Sequence, residues 1–405
     1  MRPGRLLLVL FGVNLLNYID RQVPFAVFPP LKAALALSDT QLGLLGAAFM
    51  WVYLASAPIF GLLADRTARP RLVALGVGIW SLATTASSGV RGYGQLLLAR
   101  AAVGIGEASY GAVAPAMLSD AFSTERRGRA LALFSMAIPV GSALGYLLGG
   151  LVERSLGWRA AFLIVGLPGL LLTWCVGRLP DPPRERQAGS TLSPSLAAYR
   201  RLLAAPSYWL NTLAMTAMTF AVGGLAAWVP TYLTRVRGMG LVEANLVFGL
   251  LTLASGVGGT LLGGWLGDRL LARVPAAYFL VSGLGLLLSV PAAAAVILVS
   301  GRGALLTAIF AAEVCIFLNT GPLNAVIAAV SPPGIRATAY ALNIVVIHAL
   351  GDAISPAIVG AVSDRVGLAA AFWIAPVSLA LAAGACFWGM RYYAKDQAAA
   401  SSADR

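Results

Sequence analysis

The sequence predicts an all-α membrane protein whose twelve transmembrane helices form two six-helix halves. Of its 405 residues, 59% are hydrophobic and only 11% are charged. An average soluble domain is about 25% charged, so a soluble chain of this length could not bury so much apolar surface. In addition, twelve apolar segments of spanning length follow one another along the chain.

Each apolar segment approaches the length of about 20 residues that a helix needs to cross a bilayer. The predicted spans are 5–30, 40–64, 72–90, 94–118, 128–152, 158–178, 207–233, 242–266, 276–299, 303–329, 336–360 and 367–391. The one plausible linker, rich in proline, arginine and serine, lies between the sixth and seventh spans. The expected organisation is a first half at 1–178, a cytoplasmic linker at 179–206, a second half at 207–391 and a cytoplasmic tail at 392–405.

The charge pattern predicts how the chain is oriented. The net charge is +13, which would suggest a nucleic-acid partner in a soluble chain. Here most lysines and arginines fall in the loops of one side, and positive loops face the cytoplasm. We therefore expect a multi-pass protein of the inner (plasma) membrane with both termini in the cytoplasm, and no nucleic-acid partner.

Several kinds of chemistry are excluded by what the sequence lacks. Neither Lys32 nor Lys395 follows a glycine, so no ATP-binding Walker A loop exists. One histidine and three scattered cysteines cannot supply a usual zinc site or a disulfide framework. No G-x-S-x-G nucleophile elbow appears either. We expect neither an enzyme nor a protein with a metal or other cofactor.

Two ionisable residues, Asp20 and Arg21, lie side by side in the first apolar segment. A charge at the bilayer centre costs several kcal/mol, so such side chains need partners, water or a ligand inside a helical bundle. Intramembrane charges of this kind are typical of a substrate or proton pathway. The chain therefore looks like a transporter.

The fourth segment carries a second pair, Arg100 and Glu107. They are seven residues apart, which is two helical turns, so they share one face. One interpretation is an anion-binding arginine beside a titratable carboxylate, and the other is a structural ion pair within the helix. For Glu107 we favour a role in coupling or substrate binding.

Further polar residues lie in the second half. His348 and Asp352 are four residues apart in the eleventh segment and face the same way, so Asp352 can fix the tautomer of the imidazole. The alternative is a satisfied polar pair within the bundle. Glu313 is a further intramembrane carboxylate. In the fifth segment, small residues at 141–150 predict close helix packing.

The loop after the second segment reads G-L-L-A-D-R-T-A-R-P-R at 61–71. Asp65 can accept hydrogen bonds from arginines and from a helix N-terminus, which would latch one conformation. Asp268 and Arg269 repeat the pattern at the end of the eighth segment, the equivalent helix of the second half. The alternative is an ordinary positive cytoplasmic loop.

Several runs together resemble the Spinster-like branch of the major facilitator superfamily. They are N-Y-I-D-R at 17–21, G-L-L-A-D-R at 61–66, R-x-x-x-G-x-G-E-A at 100–108, G-W-R-x-x-F at 157–162, H-x-L-G-D-x-x-S-P at 348–356 and S-D-R at 363–365. The run at 61–66 marks only the superfamily, whereas the run at 348–356 is the most branch-specific.

This resemblance implies the major facilitator superfamily fold and a secondary transporter that works by alternating access. It also implies proton-linked movement of amphipathic lipids, such as lysophospholipids or phosphorylated sphingoid bases. Asp20 would carry the proton, and Arg21, Arg100 and Glu107 would belong to the same polar cluster. The cavity is expected near mid-membrane, and the protein is expected to act as a monomer.

The resulting site hypothesis has three groups. Proton coupling is assigned to Asp20 and Glu107. Substrate binding is assigned to Arg21, Arg100, Glu313, His348 and Asp352. The conformational latch is assigned to Asp65, Arg66, Arg69, Asp268 and Arg269.

Two alternatives to a lipid transporter stay open. One is a proton-coupled symporter or exporter of a small organic anion or drug on the same fold. The other is a transport-inactive receptor or membrane scaffold. Charged residues within the membrane argue against the scaffold, which gains nothing from them.

Overall fold

A computed structural model of the chain describes residues 3–111, 113–183 and 196–401. Within these ranges, the description excludes the side chains of Asp65, Thr124, Glu125, Leu196, Ala197, Pro333 and Ala337.

The chain is built from α-helices. Up to residue 183 they are α1 (Pro3–Ala26), α2 (Phe28–Leu35), α3 (Asp39–Arg66), α4 (Arg69–Ser87), α5 (Tyr93–Gly111), α6 (Val113–Ala121), α7 (Thr124–Ser135), α8 (Ala137–Leu156) and α9 (Trp158–Gly177). From residue 196 they are α10 (Leu196–Leu203), α11 (Pro206–Arg235), α12 (Leu241–Leu271), α13 (Ala277–Leu298), α14 (Arg302–Phe317), α15 (Thr320–Val330), α16 (Arg336–Ile347), α17 (Ser355–Val366), α18 (Leu368–Ala371) and α19 (Ile374–Ser401). A 3₁₀ turn covers Pro333–Ile335, and a π-helical turn covers His348–Asp352.

All twelve predicted spans coincide with helical segments. Among the described residues, eleven helical segments are long and apolar enough to cross a membrane. The remaining predicted span, 72–90, corresponds to α4, which is helical but less hydrophobic because it begins at Arg69 and includes Ser81, Thr84 and Ser87. The prediction of an all-helical membrane protein is therefore confirmed.

The chain forms two compact units by contacts between Cα atoms. The first comprises Met1–Arg186, Ala226–Leu250 and Pro356–Leu368, and the second comprises Gln187–Leu225, Leu251–Ser355 and Ala369–Arg405. Parts of α11 and α12, and most of α17, belong to the first of these units. The division by sequence order into two halves, a linker and a tail stays a prediction.

Within the first unit, glycines bring α8 against α1. A Cβ atom added at Gly145 would lie 2.6 Å from the carbonyl oxygen of Ile19, and one at Gly141 would lie 2.7 Å from that of Leu15. Only glycine permits this approach of one helix to the backbone of another. The small residues of the fifth predicted span therefore pack directly beside Asp20.

Gly145→Ala should lower the melting temperature of the purified protein. Overpacking a tight contact costs about 1–3 kcal/mol, because the new methyl group would meet the Ile19 carbonyl. The matched control is Gly258→Ala in α12, where an added Cβ meets no atom within 4 Å. There alanine should be neutral or stabilising by up to about 1 kcal/mol. Equal melting shifts for the two variants would contradict the packing of α8 on α1.

In the second unit, a π-helical turn interrupts the eleventh predicted span. The N–H of Ala353 donates to the carbonyl of His348, five residues earlier, at 3.0 Å. Gly351 has backbone angles of φ −101° and ψ −105°, outside the helical range. Pro356 follows and has no N–H to donate to the carbonyl of Asp352, which favours a break at this point.

Candidate functional site

Four charged side chains of the first unit meet between α1 and α5. Asp20 and Arg21 come from α1, and Arg100 and Glu107 come from α5. With Thr84 of α4, they are called the central cluster here. All of these residues except Arg21 are buried.

Arg21 and Glu107 form the closer ion pair of the cluster. The Nε of Arg21 donates to Oε2 of Glu107 at 2.7 Å. The Glu107 side chain is fully buried, whereas that of Arg21 keeps 20% of its surface exposed. Arg21 is therefore the cation of the cluster that can reach a ligand.

Asp20 lies between a hydroxyl and the second arginine. Thr84 donates its hydroxyl to Oδ2 of Asp20 at 2.5 Å. Nη1 of Arg100 lies 3.6 Å from Oδ1 of Asp20, within ion-pair range but too far for a hydrogen bond. Both side chains of this pair are almost completely buried.

The cluster keeps unused hydrogen-bonding capacity. Within the described part of the chain, Oδ1 of Asp20, Nη1 of Arg100 and Oε1 of Glu107 have no hydrogen-bond partner. Buried polar atoms are nearly always paired, so unpaired atoms in one cluster need a specific explanation. Binding of a proton or an anionic group would use them.

Aromatic rings enclose the guanidinium of Arg21. Its Cζ lies 5.0 Å from the ring centres of Tyr18 and Phe49 and 5.3 Å from that of Tyr53. Phe49 also lies 5.3 Å from Cζ of Arg100. Cation–π contacts at this distance stabilise a desolvated guanidinium.

A second ionic cluster lies at the N-terminal end of α3, around Asp39. Arg235 of α11 donates two hydrogen bonds of 2.7 Å to the Asp39 carboxylate. Lys32 and Ser363 each donate to it at 2.5 Å. Asp364 in turn accepts from the N–H groups of Asp39 and Thr40, each at 2.8 Å. This Asp39 cluster joins the start of α3 to the end of α11 and to α17.

Sequence reasoning did not assign Asp39. An aspartate after Ser38 at the start of a predicted helix is typical of an N-terminal cap, and Ser38 does form a capping box with Gln41. The available signal was the S-D-R run at 363–365, whose Ser363 and Asp364 both contact this helix start.

Asp39→Asn should destabilise the protein more than Asp364→Asn does. Asp39 binds two cations, and hydrogen bonds to charged groups contribute about 1.5–3 kcal/mol, whereas Asp364 binds N–H and hydroxyl groups that asparagine can still partly serve. Melting curves of both variants in the same detergent measure the difference. An equal or larger effect of Asp364→Asn would contradict the central position of Asp39.

Three of the residues assigned to the latch, Asp65, Arg66 and Arg69, lie at or just after the other end of α3. Arg69 donates to Asp120 at 2.5 Å and to Asp181 at 2.8 Å, and it also bonds the carbonyl of Pro182 at 2.7 Å. The side chain of Asp65 lies outside the described residues, and Arg66 is exposed. Arg69 therefore connects the start of α4 to the end of α6 and to the chain after α9.

The remaining predicted residues belong to the second unit. Asp268 accepts from the hydroxyl of Tyr278 at 2.9 Å, and Cζ of Arg269 lies 5.3 Å from the ring centre of Trp265. Glu313 accepts from Thr252 and Ser255 at 2.7 and 2.8 Å. Nδ1 of His348 lies 2.9 and 3.0 Å from the two carboxylate oxygens of Asp352.

Comparison with known proteins decides the family. The sequence profile of the Major Facilitator Superfamily matches residues 10–356. The chain is 37% identical over 395 residues to protein spinster homolog 1 of Homo sapiens, covering 90% of this chain and 74% of that protein. The chain is a Spinster-like member of the major facilitator superfamily. It is also 35% identical to protein spinster of Drosophila melanogaster over 88% of its own length but only 61% of the fly protein, so it spans less than two thirds of that relative.

Solved structures agree with this assignment. The Spinster-like chain superposes with a TM-score of 0.89 and 26% identity on a bacterial homolog of the human lysosomal transporter Spinster, over 98% of both chains. That structure is in an inward-facing, unoccupied conformation. A D-xylose–proton symporter gives a TM-score of 0.77 at 17% identity and shows the fold alone.

In this Spinster-like transporter, the predicted charges at 20, 21, 100 and 107 come together in one place. Their pairing crosses between helices: Arg21 pairs with Glu107, and Arg100 pairs with Asp20. Thr84 was not predicted, because a threonine in an apolar helix gives no signal of its partner. Glu313 and the His348–Asp352 pair belong to the other compact unit.

Proposed function

We propose that this Spinster-like protein is a proton-coupled secondary transporter of an anionic amphipathic lipid. A single observation carries the proposal: Asp20 is buried with one carboxylate oxygen bonded to Thr84 and the other 3.6 Å from Arg100, with no hydrogen bond of its own among the described residues. That oxygen is where a proton would bind.

Protonation of Asp20 would change the charge balance of the central cluster. In the ionised state, the cluster pairs two carboxylates with two arginines. Arginine stays protonated at all relevant pH values, so neutralising Asp20 leaves the buried Arg100 without its countercharge. An anionic group of the substrate would then restore neutrality. Proton binding and substrate binding are thereby coupled through Arg100.

The headgroup in this proposal meets Arg21 first. Arg21 is the more accessible arginine of the cluster, with 20% of its side chain exposed, and a guanidinium binds phosphate or carboxylate through two parallel hydrogen bonds. Glu107 holds Arg21 in place and is the second candidate for proton coupling. In the second unit, we propose Glu313, His348 and Asp352 as further substrate contacts, since the last two remain 33% and 21% exposed.

We further propose that alternating access is controlled at both ends of α3. This helix has 28 residues and is about 42 Å long, longer than the roughly 30 Å hydrocarbon core of a bilayer. Its N-terminal end carries the Asp39 cluster and its C-terminal end lies next to Arg69. The proposed cytoplasmic latch comprises Asp65, Arg66, Arg69, Asp268 and Arg269, in a plasma-membrane protein with both termini in the cytoplasm.

The solved structures support a transporter of this fold, and neither of them identifies the substrate. The bacterial structure is described as a homolog of a lysosomal transporter, and the xylose symporter moves its sugar with protons on the same fold. Proton coupling is therefore compatible with this fold. The lipid part rests on the resemblance to the Spinster branch and on the partly exposed Arg21 beside aromatic rings.

A reconstitution experiment tests the proposal. Purified protein in liposomes is given a pH gradient, and uptake of a labelled lysophospholipid is compared with uptake of labelled small organic anions. We expect gradient-driven movement of the lysolipid and none of the small anions. Gradient-driven movement of small anions alone would replace the lipid proposal with the small-anion transporter, and movement of neither would remove both.

A further inference from the structure

A cleft in the second unit lies between α10 and the end of α19, and the function proposed above does not use it. It has a volume of about 280 Å³, and its lining includes Arg201, Pro206, Val330, Tyr392, Lys395 and Asp396. This size is close to the lower limit of about 300 Å³ for ligand pockets. We call it the α10–α19 cleft.

The one carboxylate in the cleft already has its partners. Oδ2 of Asp396 accepts from the backbone N–H of Ser207 at 2.9 Å and from its hydroxyl at 2.6 Å. Asp396 thus caps the first turn of α11, where a negative charge is favourable. No ion pair within the described residues joins Arg201 or Lys395 to a carboxylate. The cleft therefore presents two cations without an ion-pair partner among the described residues, together with the neutral hydroxyl of Tyr392. Asp396, whose partners are the neutral N–H and hydroxyl of Ser207, supplies the one negative charge in this lining.

Two exposed tryptophans near this cleft indicate a position at the boundary of the membrane. Trp388 lies seven residues before Lys395, two turns along the same face of α19, and it is 55% exposed. Trp209, three residues after Pro206, is exposed and donates its indole N–H to the carbonyl of Leu203. Exposed tryptophans of this kind are enriched at membrane–water interfaces. Apolar surface for an acyl chain therefore begins next to the basic side chains.

We propose that the α10–α19 cleft binds the phosphate headgroup of an anionic phospholipid from the surrounding membrane leaflet. The fork of Arg201, the ammonium of Lys395 and the hydroxyl of Tyr392 bind the phosphate, and the acyl chains lie along Trp388 and the exposed Leu203. The bound lipid fixes α10 and the end of α19 together. This site is independent of the central cluster and of the transported substrate.

Native mass spectrometry of the full-length protein with phosphatidylglycerol tests the site. Each cation that contacts the lipid phosphate contributes about a fivefold gain in affinity for anionic lipid, so Arg201→Gln with Lys395→Gln should weaken binding about twenty-fivefold. Arg200→Gln is the matched control, because Arg200 is the exposed neighbour that does not line the cleft. It should bind phosphatidylglycerol as the unmodified protein does.

Three results would overturn the proposal. They are an unchanged affinity in the double variant, an equal loss in Arg200→Gln, and equal stabilisation of the unmodified protein by phosphatidylcholine or by inorganic phosphate in melting curves. The first two mean that the cleft is not the site, and the third means that an anionic lipid is not the ligand. If the double variant does not fold, each single variant should bind about fivefold more weakly, and the same comparisons decide the outcome.

Discussion

Asp20→Asn is expected to abolish proton-driven transport while leaving the protein folded. Asparagine has the same shape and can still accept from Thr84, but it cannot gain or lose a proton. The protein should still fold, because the proposed cycle passes through a neutral Asp20, but the melting temperature should fall because the buried Arg100 loses its countercharge. Liposome uptake with and without a pH gradient measures the effect, and exchange of substrate without a gradient should persist.

The control for this experiment is Glu153→Gln near the end of α8, which removes a carboxylate away from the central cluster. It should keep gradient-driven uptake. If Asp20→Asn retains the pH dependence of the unmodified protein, Asp20 has no part in coupling, and Glu107 becomes the next carboxylate to replace.

Removing one member of the Arg21–Glu107 pair should cost about 3–5 kcal/mol, because the other charge is left in a buried environment. Arg21→Met should show the larger loss of stability, since it leaves the completely buried Glu107 side chain without its partner. The double variant Arg21→Met with Glu107→Gln should recover most of that stability. Melting curves of the single and double variants in one detergent give the coupling between the two residues.

A second double variant makes this prediction specific. Arg100→Met with Glu107→Gln removes two charges on one face of α5, but each of them pairs with a residue of α1. It should therefore show little recovery relative to its single variants, and it leaves Asp20 and Arg21 unpaired. Recovery in this variant but not in the first would mean that the ion pair lies within α5, as one interpretation of the sequence held.

The positions of the helices, and the presence of four charges at a similar depth in two of them, could be predicted from the sequence. Hydropathy finds a span because the bilayer requires a fixed apolar length. An isolated charge within a span is energetically costly, so Asp20, Arg21, Arg100 and Glu107 were expected to pair with one another or to contact water. What hydropathy does not contain is the rotation of each helix about its axis, and this rotation decides that Arg100 faces Asp20 rather than Glu107.

Residues with ordinary local explanations escaped prediction. Thr84 is one of several hydroxyl residues in α4, and only the position of α1 makes it the partner of Asp20. By its local pattern, Asp39 is an ordinary residue at a helix start. Its actual donors, two cations and one hydroxyl, belong to residues 32, 235 and 363. Contacts between residues so far apart in the chain depend on tertiary structure that no local pattern records.

The wide turn at His348–Asp352 means that this span is one residue longer than a regular helix would be. A π turn behaves as a single-residue insertion that the helix absorbs locally, so the residues before and after it keep the faces they would otherwise have. Deleting Ala349 should therefore be tolerated better than a deletion elsewhere in a span, which would turn every later residue by about 100°. The fold can therefore accept the loss of one residue at this position. Such a deletion would change the spacing between His348 and Asp352.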